Sequence, residues 1–220
     1  MGFHTFDPSM ADRLDDESRY RFCSREELLG ALDAGGIADD DRNASGDGGS
    51  DGDRDASGDG GSDSTATGHL VDLGSGTGFY TADLAPFFDR ISAVDIQPEM
   101  HDLFRENGVP DTVDLVESST DSLPLGKDTA DAAVSTMTAH EIPLASTLAD
   151  LQRVLAPGSP VVVVDWSAAG RGESGPPRGE RHAASEVADA LADAGFSVEA
   201  ATERGETFLL RARASRMTDN

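Results

Sequence analysis

The chain has 220 residues, enough for one well-packed domain, and its 42 acidic and 17 basic residues give a formal net charge of −25. The absence of a basic stripe argues against a nucleic-acid-binding protein, and the single cysteine, Cys23, excludes an intrachain disulfide. No aliphatic run is long enough to span a membrane, and the start, MGFHTFDPSM, lacks the basic and apolar regions of a signal peptide, so we expect a cytoplasmic protein.

The acidity comes mainly from aspartate, with 29 Asp against 13 Glu, and Lys127 is the only lysine. This balance is typical of halophilic proteins, whose acidic surfaces stay hydrated while salt screens their self-repulsion. An acidic patch for a basic partner is the weaker interpretation, because the acids are spread along most of the chain.

Residues 1–38 are predicted to form an amino-terminal helical segment. Leucines recur at rough helical spacing over 9–34, Asp7-Pro8 favours a helix start and Gly35-Gly36 favours a stop. We expect this segment to pack on the following domain as a cap or lid.

Residues 39–67 differ in character from the rest of the chain. The octamer ASGDGGSD occurs at 44–51 and again at 56–63, and nothing aliphatic larger than alanine is present. Such a segment cannot bury enough apolar area to offset the entropy of ordering, which predicts a disordered acidic insert. A calcium site is the less favoured alternative, since the spacing does not match known calcium loops.

Strands and helices alternate from residue 68 to residue 213. The predicted strands are 69–73, 91–94, 113–116, 130–135, 160–165, 198–202 and 207–212, and the predicted helices are 79–88, 98–106, 144–155 and 183–194. This order predicts an α/β, Rossmann-like doubly wound domain, with a mostly parallel seven-stranded sheet and an antiparallel carboxyl-terminal strand. Residues 214–220 are expected to form a flexible tail.

The stretch VDLGSGTGFY occupies the first strand-to-helix turn, where ligands bind in such sheets. Gly74, Gly76 and Gly78 allow a tight turn and close approach of a ligand. The spacing is not that of a dinucleotide fingerprint, because Phe79 stands where the last glycine would be, and no lysine completes a phosphate loop. Asp72, just before the first glycine, suits a ligand with an ammonium or sulfonium group such as S-adenosyl-L-methionine.

Asp95 ends the second predicted strand, in AVDIQPEM. A carboxylate at that strand tip can accept hydrogen bonds from both hydroxyls of a ribose. Nicotinamide-dependent enzymes use the same device, so Asp95 by itself does not separate the two classes of cofactor.

Three segments, VDLGSGTGFY, AVDIQPEM and LQRVLAPGSPVVVVDW, resemble those of class I S-adenosylmethionine-dependent methyltransferases. AGFSVEA followed by TFLLRARA is similar to the closing hairpin of that family, and the resemblance covers roughly 68–212. HTFDPSMADRLDDESR and GPPRGERHAASEVADALADAGF are similar to small members of the type-11, ubiquinone/menaquinone-methyltransferase-like group. The resemblance implies methyl transfer from S-adenosyl-L-methionine.

The resemblance also implies roles for individual residues. Cofactor contacts are implied for Asp72, Gly74, Ser75, Gly76, Gly78, Asp95, Ile96, Ser119 and Thr120. Ser119 stands where the family usually has an aspartate that contacts the adenine amino group, and a hydroxyl accepts such a bond more weakly. Asp121 is the nearby residue expected to compensate.

The chemistry of the acceptor is expected past the fourth and fifth strands. His140 is a candidate general base and Glu141 a candidate partner for it or for a cationic acceptor, although His140 could equally pack or cap the next helix. Trp166 is a candidate wall of the acceptor pocket, and Arg181 a candidate substrate clamp in a Gly/Pro-rich loop; packing and a solvated loop are the respective alternatives.

The expected function is therefore methyl transfer to a small-molecule acceptor, by a monomer or homodimer that uses no metal and binds no nucleic acid. Two alternatives stay open. One is a non-catalytic S-adenosylmethionine-binding or interaction protein of the same fold, and the other is a methyltransferase that acts on protein or RNA.

Overall fold

The computed structural model of the protein describes residues 6–34 and 68–215. The predicted acidic insert at 39–67 and residues 216–220 of the predicted tail lie outside the described residues. The predicted start of the tail is wrong at Ala214, which is the last residue of a strand. Within the described part, no helix is both long and apolar enough to cross a membrane.

Seven strands of residues 68–215 form a single sheet, which confirms the predicted fold class. They are β1 (His69–Leu73), β2 (Arg90–Asp95), β3 (Val113–Glu117), β4 (Ala132–Thr136), β5 (Pro160–Trp166), β6 (Phe196–Glu203) and β7 (Thr207–Ala214). Their order in the sheet is β3-β2-β1-β4-β5-β7-β6, and all neighbours are parallel except β7, which is antiparallel to both β5 and β6. The strand order reverses between β1 and β4, so a crevice is expected beyond their carboxyl ends.

In the described part of the chain, five α-helices cover the two faces of this sheet. They are α1 (Arg25–Ala31), α2 (Phe79–Leu84), α3 (Pro98–Asn107), α4 (Leu144–Val154) and α5 (Ala184–Asp193). Side chains of α4 and α5 pack with one buried cluster, and side chains of α1, α2 and α3 pack with the other. The valines of β5 divide between the clusters, since Val161 and Val163 join the first and Val162 and Val164 the second. This alternation is that of a strand covered on both faces.

The leucine spacing of the amino-terminal segment predicts helix over 9–34, but the segment is not continuously helical. It forms two 3₁₀ helices, Pro8–Arg13 and Glu17–Arg21, followed by the short helix α1. Asp7, Asp16 and Ser24 precede these three pieces, and each side chain accepts a hydrogen bond from a backbone N–H two or three residues on. Each of these three caps, within eighteen residues, begins a new helix, because the capping side chain satisfies the free N–H groups of the helix that follows and does not extend the one before it.

Smaller differences from the predicted elements have local causes. The helix predicted over 79–88 ends at Leu84, and a 3₁₀ turn containing Pro86 follows. Strand β4 starts at Ala132, because Ala130 forms only an isolated bridge to Leu155. The carboxyl-terminal hairpin is longer than predicted at both ends.

Candidate functional site

The glycine loop after β1 is fastened to β2. The N–H groups of Gly74 and Ser75 both donate to the Val94 carbonyl, at 2.8 and 3.0 Å. Gly74 has a φ of +74°, and a Cβ added there would lie 2.2 Å from Cγ2 of Thr138, so the loop after β4 packs directly on this glycine. At Gly76, φ is +54° and an added Cβ would meet only a Leu14 methyl at 3.7 Å. The backbone at Gly76 is therefore open to a ligand.

A cavity of about 260 Å³ lies beyond the carboxyl ends of β1, β2 and β4. Eight of the predicted site residues line it, namely Gly74, Ser75, Gly76, Asp95, Ile96, Ser119, Thr120 and Glu141. The amino-terminal segment closes one side with Phe6, Leu14 and Arg19. The site thus combines the sheet edge, the loops that follow the strands, and a wall from the start of the chain.

Asp95 is almost fully buried at the tip of β2. One carboxylate oxygen accepts a hydrogen bond from the Gly76 N–H, and the other accepts from the Gln97 N–H, both at 2.9 Å. Burial raises the pKa of Asp95, and the two backbone donors act against that shift. Each oxygen keeps a lone pair that can accept a further bond from a hydroxyl in the cavity.

The residues expected at an adenine ring lie next to Asp95. Ile96 is 56% exposed and lines the cavity. The Ser119 hydroxyl donates to Asp121 at 2.5 Å, and Asp121 also lines the cavity. The apolar side chain of Ile96 beside the hydroxyl–carboxylate pair of Ser119 and Asp121 forms a suitable surface for an aromatic ring with an exocyclic amine.

Asp72 and Gly78 support the loop from behind and do not line the cavity. Asp72 accepts a 2.6 Å hydrogen bond from the Thr81 hydroxyl, and burial raises the pKa of Asp72 to about 6. Its other carboxylate oxygen is buried without a partner within the described residues. Gly78 has a φ of +84°, and an added Cβ would lie 2.2 Å from the ring of Phe104. Both residues therefore contact α2 and α3 rather than the cavity.

His140 lies between two carboxylates. Its Nδ1 is 2.9 Å from one oxygen of Asp165, and its Nε2 is 3.5 Å from Glu141. Burial alone would lower the pKa of His140, but hydrogen bonds and charges from Asp165 and Glu141 raise it to about 9. Hydrogen bonds and charges from the two carboxylates favour the imidazolium form of His140, and His140 is not among the residues that line the cavity, so the geometry gives no support to its predicted role as a general base. Glu141 does line the cavity.

Trp166 and Arg181 contact each other and lie outside the cavity lining. The Arg181 guanidinium is 5.6 Å from the Trp166 ring centroid and forms an ion pair with Glu206 at 3.3 Å. The Trp166 ring also meets Phe22 edge-on at a centroid distance of 4.7 Å. These contacts are structural. The arginine is buried with its donors committed to Ser167, Ser174, Pro176 and Glu206, so it is not free to clamp a substrate in this conformation.

Sequence reasoning missed three features of the cavity. Arg19 and Phe79 line it, and Met137, directly after β4, has a φ of +57°. A non-glycine residue in the left-handed region is uncommon and tends to occur at functional sites. The signal for Phe79 was present in the sequence, because it directly follows the glycine loop; nothing in the local sequence marks Arg19 or the backbone of Met137.

The donor set fits S-adenosylmethionine better than a metal or a diphosphate. Among residues 6–34 and 68–215, no group of three or more His, Cys, Asp or Glu side chains is arranged to hold a metal ion. The cavity presents the carboxylates of Asp95, Asp121 and Glu141. Such a surface favours hydroxyl, amine and sulfonium groups and disfavours phosphates.

Comparisons with known proteins agree with this assignment. Residues 71–163 match a family model described as a methyltransferase domain. A crystal structure of an S-adenosylmethionine-dependent methyltransferase from Aquifex aeolicus has a TM-score of 0.73 and 26% sequence identity, and the match covers 96% of this chain and 100% of that one.

Two curated relatives match a shorter part of the chain. An uncharacterized methyltransferase of Mycobacterium tuberculosis is 33% identical over 102 residues, which is 46% of this chain and 41% of the relative. The sterol 4-C-methyltransferase of Caenorhabditis elegans is 29% identical over 102 residues, 44% of this chain and 30% of the relative. The chain thus spans less than half the length of these relatives. Together the matches support a class I methyltransferase domain with S-adenosyl-L-methionine as its cofactor.

Proposed function

We propose that the protein transfers a methyl group from S-adenosyl-L-methionine to a small-molecule acceptor. The observation that carries the proposal is the carboxylate of Asp95, which is held at the tip of β2 by two backbone N–H groups and faces a cavity with the glycine loop. The cofactor, when bound, supplies an electrophilic methyl group on a sulfonium, so the task of the protein is to bind, align and exclude water.

The adenosine part of the cofactor is assigned to the tips of β2 and β3. Asp95 would accept hydrogen bonds from the ribose hydroxyls, and Ile96 would cover the adenine. Ser119 and Asp121 would accept hydrogen bonds from the adenine amine, with Asp121 supplying the carboxylate that the family usually has two residues earlier, at the position of Ser119. Gly76 allows the backbone to approach the cofactor, and Gly74 allows the loop after β4 to pack against the glycine loop.

The acceptor is assigned to the side of the cavity formed after β4. Met137, Ile142 and Pro143 give this side an apolar surface, and Glu141 is its carboxylate. His140 and Asp165 act as positioning residues, because the imidazolium lies between Asp165 and Glu141 and fixes the latter. A cavity of about 260 Å³ is slightly smaller than the usual range of ligand pockets, roughly 300 to 1,000 Å³, so a small acceptor is favoured over a protein or RNA chain.

The proposal extends to the setting of the protein. The net charge of −25 and the near absence of lysine favour a halophilic source, and residues 4–19 and 175–196 favour the ubiquinone/menaquinone-methyltransferase-like subgroup. One relative is named a sterol 4-C-methyltransferase, and that name does not identify the acceptor of this chain.

The experiment is calorimetric titration of S-adenosylmethionine and S-adenosylhomocysteine into wild type, Asp95→Asn and Asp102→Asn. Asp102 is the matched control, because it is exposed and forms its ion pair with Arg105 away from the cavity. We expect Asp95→Asn to weaken both ligands about tenfold or more, since a hydrogen bond to a charged group contributes about 1.5–3 kcal/mol.

Two outcomes would contradict the proposal. If wild-type protein bound neither ligand, the assignment of S-adenosylmethionine as the cofactor would be refuted. Equal affinities in wild type and Asp95→Asn would remove Asp95 from the site. Transfer of labelled methyl groups from the cofactor into low-molecular-weight compounds of a cell extract then separates an enzyme from a non-catalytic binding protein, and label in protein or RNA would favour the macromolecular alternative.

A further inference from the structure

Glu141 is the cavity carboxylate whose ligand partner the proposed function leaves open. It lies in the turn after β4, where its N–H donates to the Thr138 carbonyl at 2.8 Å. The Thr138 hydroxyl is 3.2 Å from the Gly74 carbonyl, so this turn is tied to the glycine loop. Burial raises the pKa of Asp95, and the charge of Glu141 adds to that effect, so the two carboxylates face the same part of the cavity.

The carboxylate of Glu141 has fewer internal hydrogen bonds than Asp95 and Asp121, the other carboxylates of the cavity. Asp95 accepts two backbone N–H bonds, and Asp121 accepts the hydroxyls of two serines. Among residues 6–34 and 68–215, Glu141 has only His140 at ion-pair distance, with 3.5 Å between Oε1 and Nε2. That distance is too long for a strong hydrogen bond, and the Glu141 side chain is 24% exposed. Its oxygens are therefore available to a donor on a ligand.

The surroundings of Glu141 favour an amine over a hydroxyl as the reacting group. A hydroxyl or a thiol must lose its proton to become a strong nucleophile, and carboxylates are weak bases for that proton. His140, the histidine of this turn, is held in its imidazolium form by the carboxylates beside it. A neutral amine already has a free lone pair and gains positive charge as it reacts, and a nearby carboxylate stabilises that charge. Met137, Ile142 and Pro143 give the same side of the cavity an apolar surface.

We propose that the methyl acceptor is an amine with an apolar body, and that Glu141 binds its nitrogen. This rests on the proposed function, since it assumes methyl transfer in the cavity. The amine binds as an ammonium ion and releases one proton to water before it reacts. Its lone pair then forms the new N–C bond while the S–C bond of the cofactor breaks with its electron pair on sulfur. The products are S-adenosylhomocysteine and an N-methylammonium ion, whose N–H donates to Glu141.

The first test finds the atom that is methylated. S-adenosylmethionine with a deuterated methyl group is incubated with wild type and the small-molecule fraction of a cell extract, and labelled products are identified by mass spectrometry. We expect label on nitrogen, in products that a cation exchanger retains at pH 7. Label on oxygen, sulfur or carbon would overturn the inference and leave the proposed function in place. The absence of any labelled small molecule would refute the proposed function itself.

The second test measures the role of Glu141 by binding alone. The probes 2-phenylethylamine and 2-phenylethanol, which differ only in the head group, are titrated calorimetrically at pH 7 into complexes of the protein with S-adenosylhomocysteine. The proteins are wild type, Glu141→Gln and Glu106→Gln. Glu106 is the matched control, because it is an exposed glutamate of α3 outside the cavity lining. We expect wild type and Glu106→Gln to prefer the amine about tenfold or more, and Glu141→Gln to lose that preference.

The outcomes of the binding test concern Glu141 and not the cofactor. Wild type that does not distinguish the two probes, or that binds neither, would overturn the role of Glu141, and this arm requires no variant. A preference for the amine that survives in Glu141→Gln would also overturn it, because another group would then hold the nitrogen. The affinity of Glu141→Gln for S-adenosylhomocysteine should stay within about twofold of wild type, which shows that the cavity has kept its shape.

Discussion

The imidazole of His140 should make folding stability depend on pH in the alkaline range. Its side chain is only 8% exposed and lies between Asp165, at 2.9 Å, and Glu141, at 3.5 Å. These carboxylates raise the pKa of His140 from 6.5 to about 9 against the opposing effect of burial. A rise of this size corresponds to roughly 3 kcal/mol of preferential binding of the proton by the folded state.

The sign follows from which state holds the proton more tightly. Because the folded pKa is raised, the stabilisation is fully present below pH 6.5, where both folded and unfolded states are protonated. It is lost as pH rises through about 9, where the folded state releases its proton as well. Loss of that proton also leaves Asp165, which is fully buried, facing a neutral ring.

The assay is urea unfolding at constant high salt, at intervals from pH 6.5 to pH 10. Wild type should lose roughly 3 kcal/mol of unfolding free energy over that range at an unchanged denaturant slope. His140→Gln should be less stable at pH 6.5 and nearly flat above it. His182→Gln is the matched control. His182 is a half-buried histidine on the loop before α5, and its ring lies 3.9 Å from the Glu186 carboxylate. This variant should show the same loss of unfolding free energy with pH as wild type.

A flat wild-type profile between pH 6.5 and pH 10 would refute the reasoning, because it would mean that the two carboxylates do not hold the proton. A fall of the same size in wild type and His140→Gln would assign the titration to another group.

Two further predictions concern residues that support the glycine loop. Gly78→Ala should lower the free energy of unfolding more than Gly158→Ala does. Both glycines have a positive φ, of +84° and +92°, where alanine carries a penalty of about 1–2 kcal/mol, but only at Gly78 would the added methyl lie 2.2 Å from Phe104. Equal losses of stability in denaturant unfolding would exclude the clash with Phe104. Asp72→Asn should stabilise the protein by up to roughly 3 kcal/mol at pH 7.5 and abolish the decline in wild-type stability between pH 4 and pH 6, because burial raises the pKa of Asp72 to about 6. Coinciding pH profiles of wild type and Asp72→Asn would contradict it.

The parts of the site that sequence could predict are those encoded within one strand–turn–helix unit. Gly74, Gly76 and Asp95 lie at turns whose geometry follows from the alternation of strands and helices, and the structure places all three at the cavity. Parallel strands bring their carboxyl ends to one edge, so the tips of β1 and β2 meet whatever the rest of the chain does. The fold class could be predicted for the same reason.

The parts that sequence could not predict depend on contacts between distant segments. His140 was a reasonable base by residue type, but its protonation is decided by Asp165, which arrives from the end of a neighbouring strand 25 residues later. Trp166 and Arg181 are candidates for substrate contact by residue type, but in the structure the Arg181 guanidinium packs over the Trp166 ring. Contacts of this kind depend on how distant segments pack, and local residue spacing in the sequence does not predict them.

Arg19 is the strongest case of this limit, because it reaches the cavity from a segment whose leucine spacing predicts one helix. Three short capped turns, rather than one long helix, allow the chain to bend over the cavity and place one arginine in its wall. At 1 M salt the Debye length is about 3 Å, so the overall charge of −25 neither attracts nor repels a ligand over a useful distance. Recognition in such an acidic protein then depends on groups largely shielded from the solvent, such as Asp95 with its two backbone donors and Glu141 beside His140.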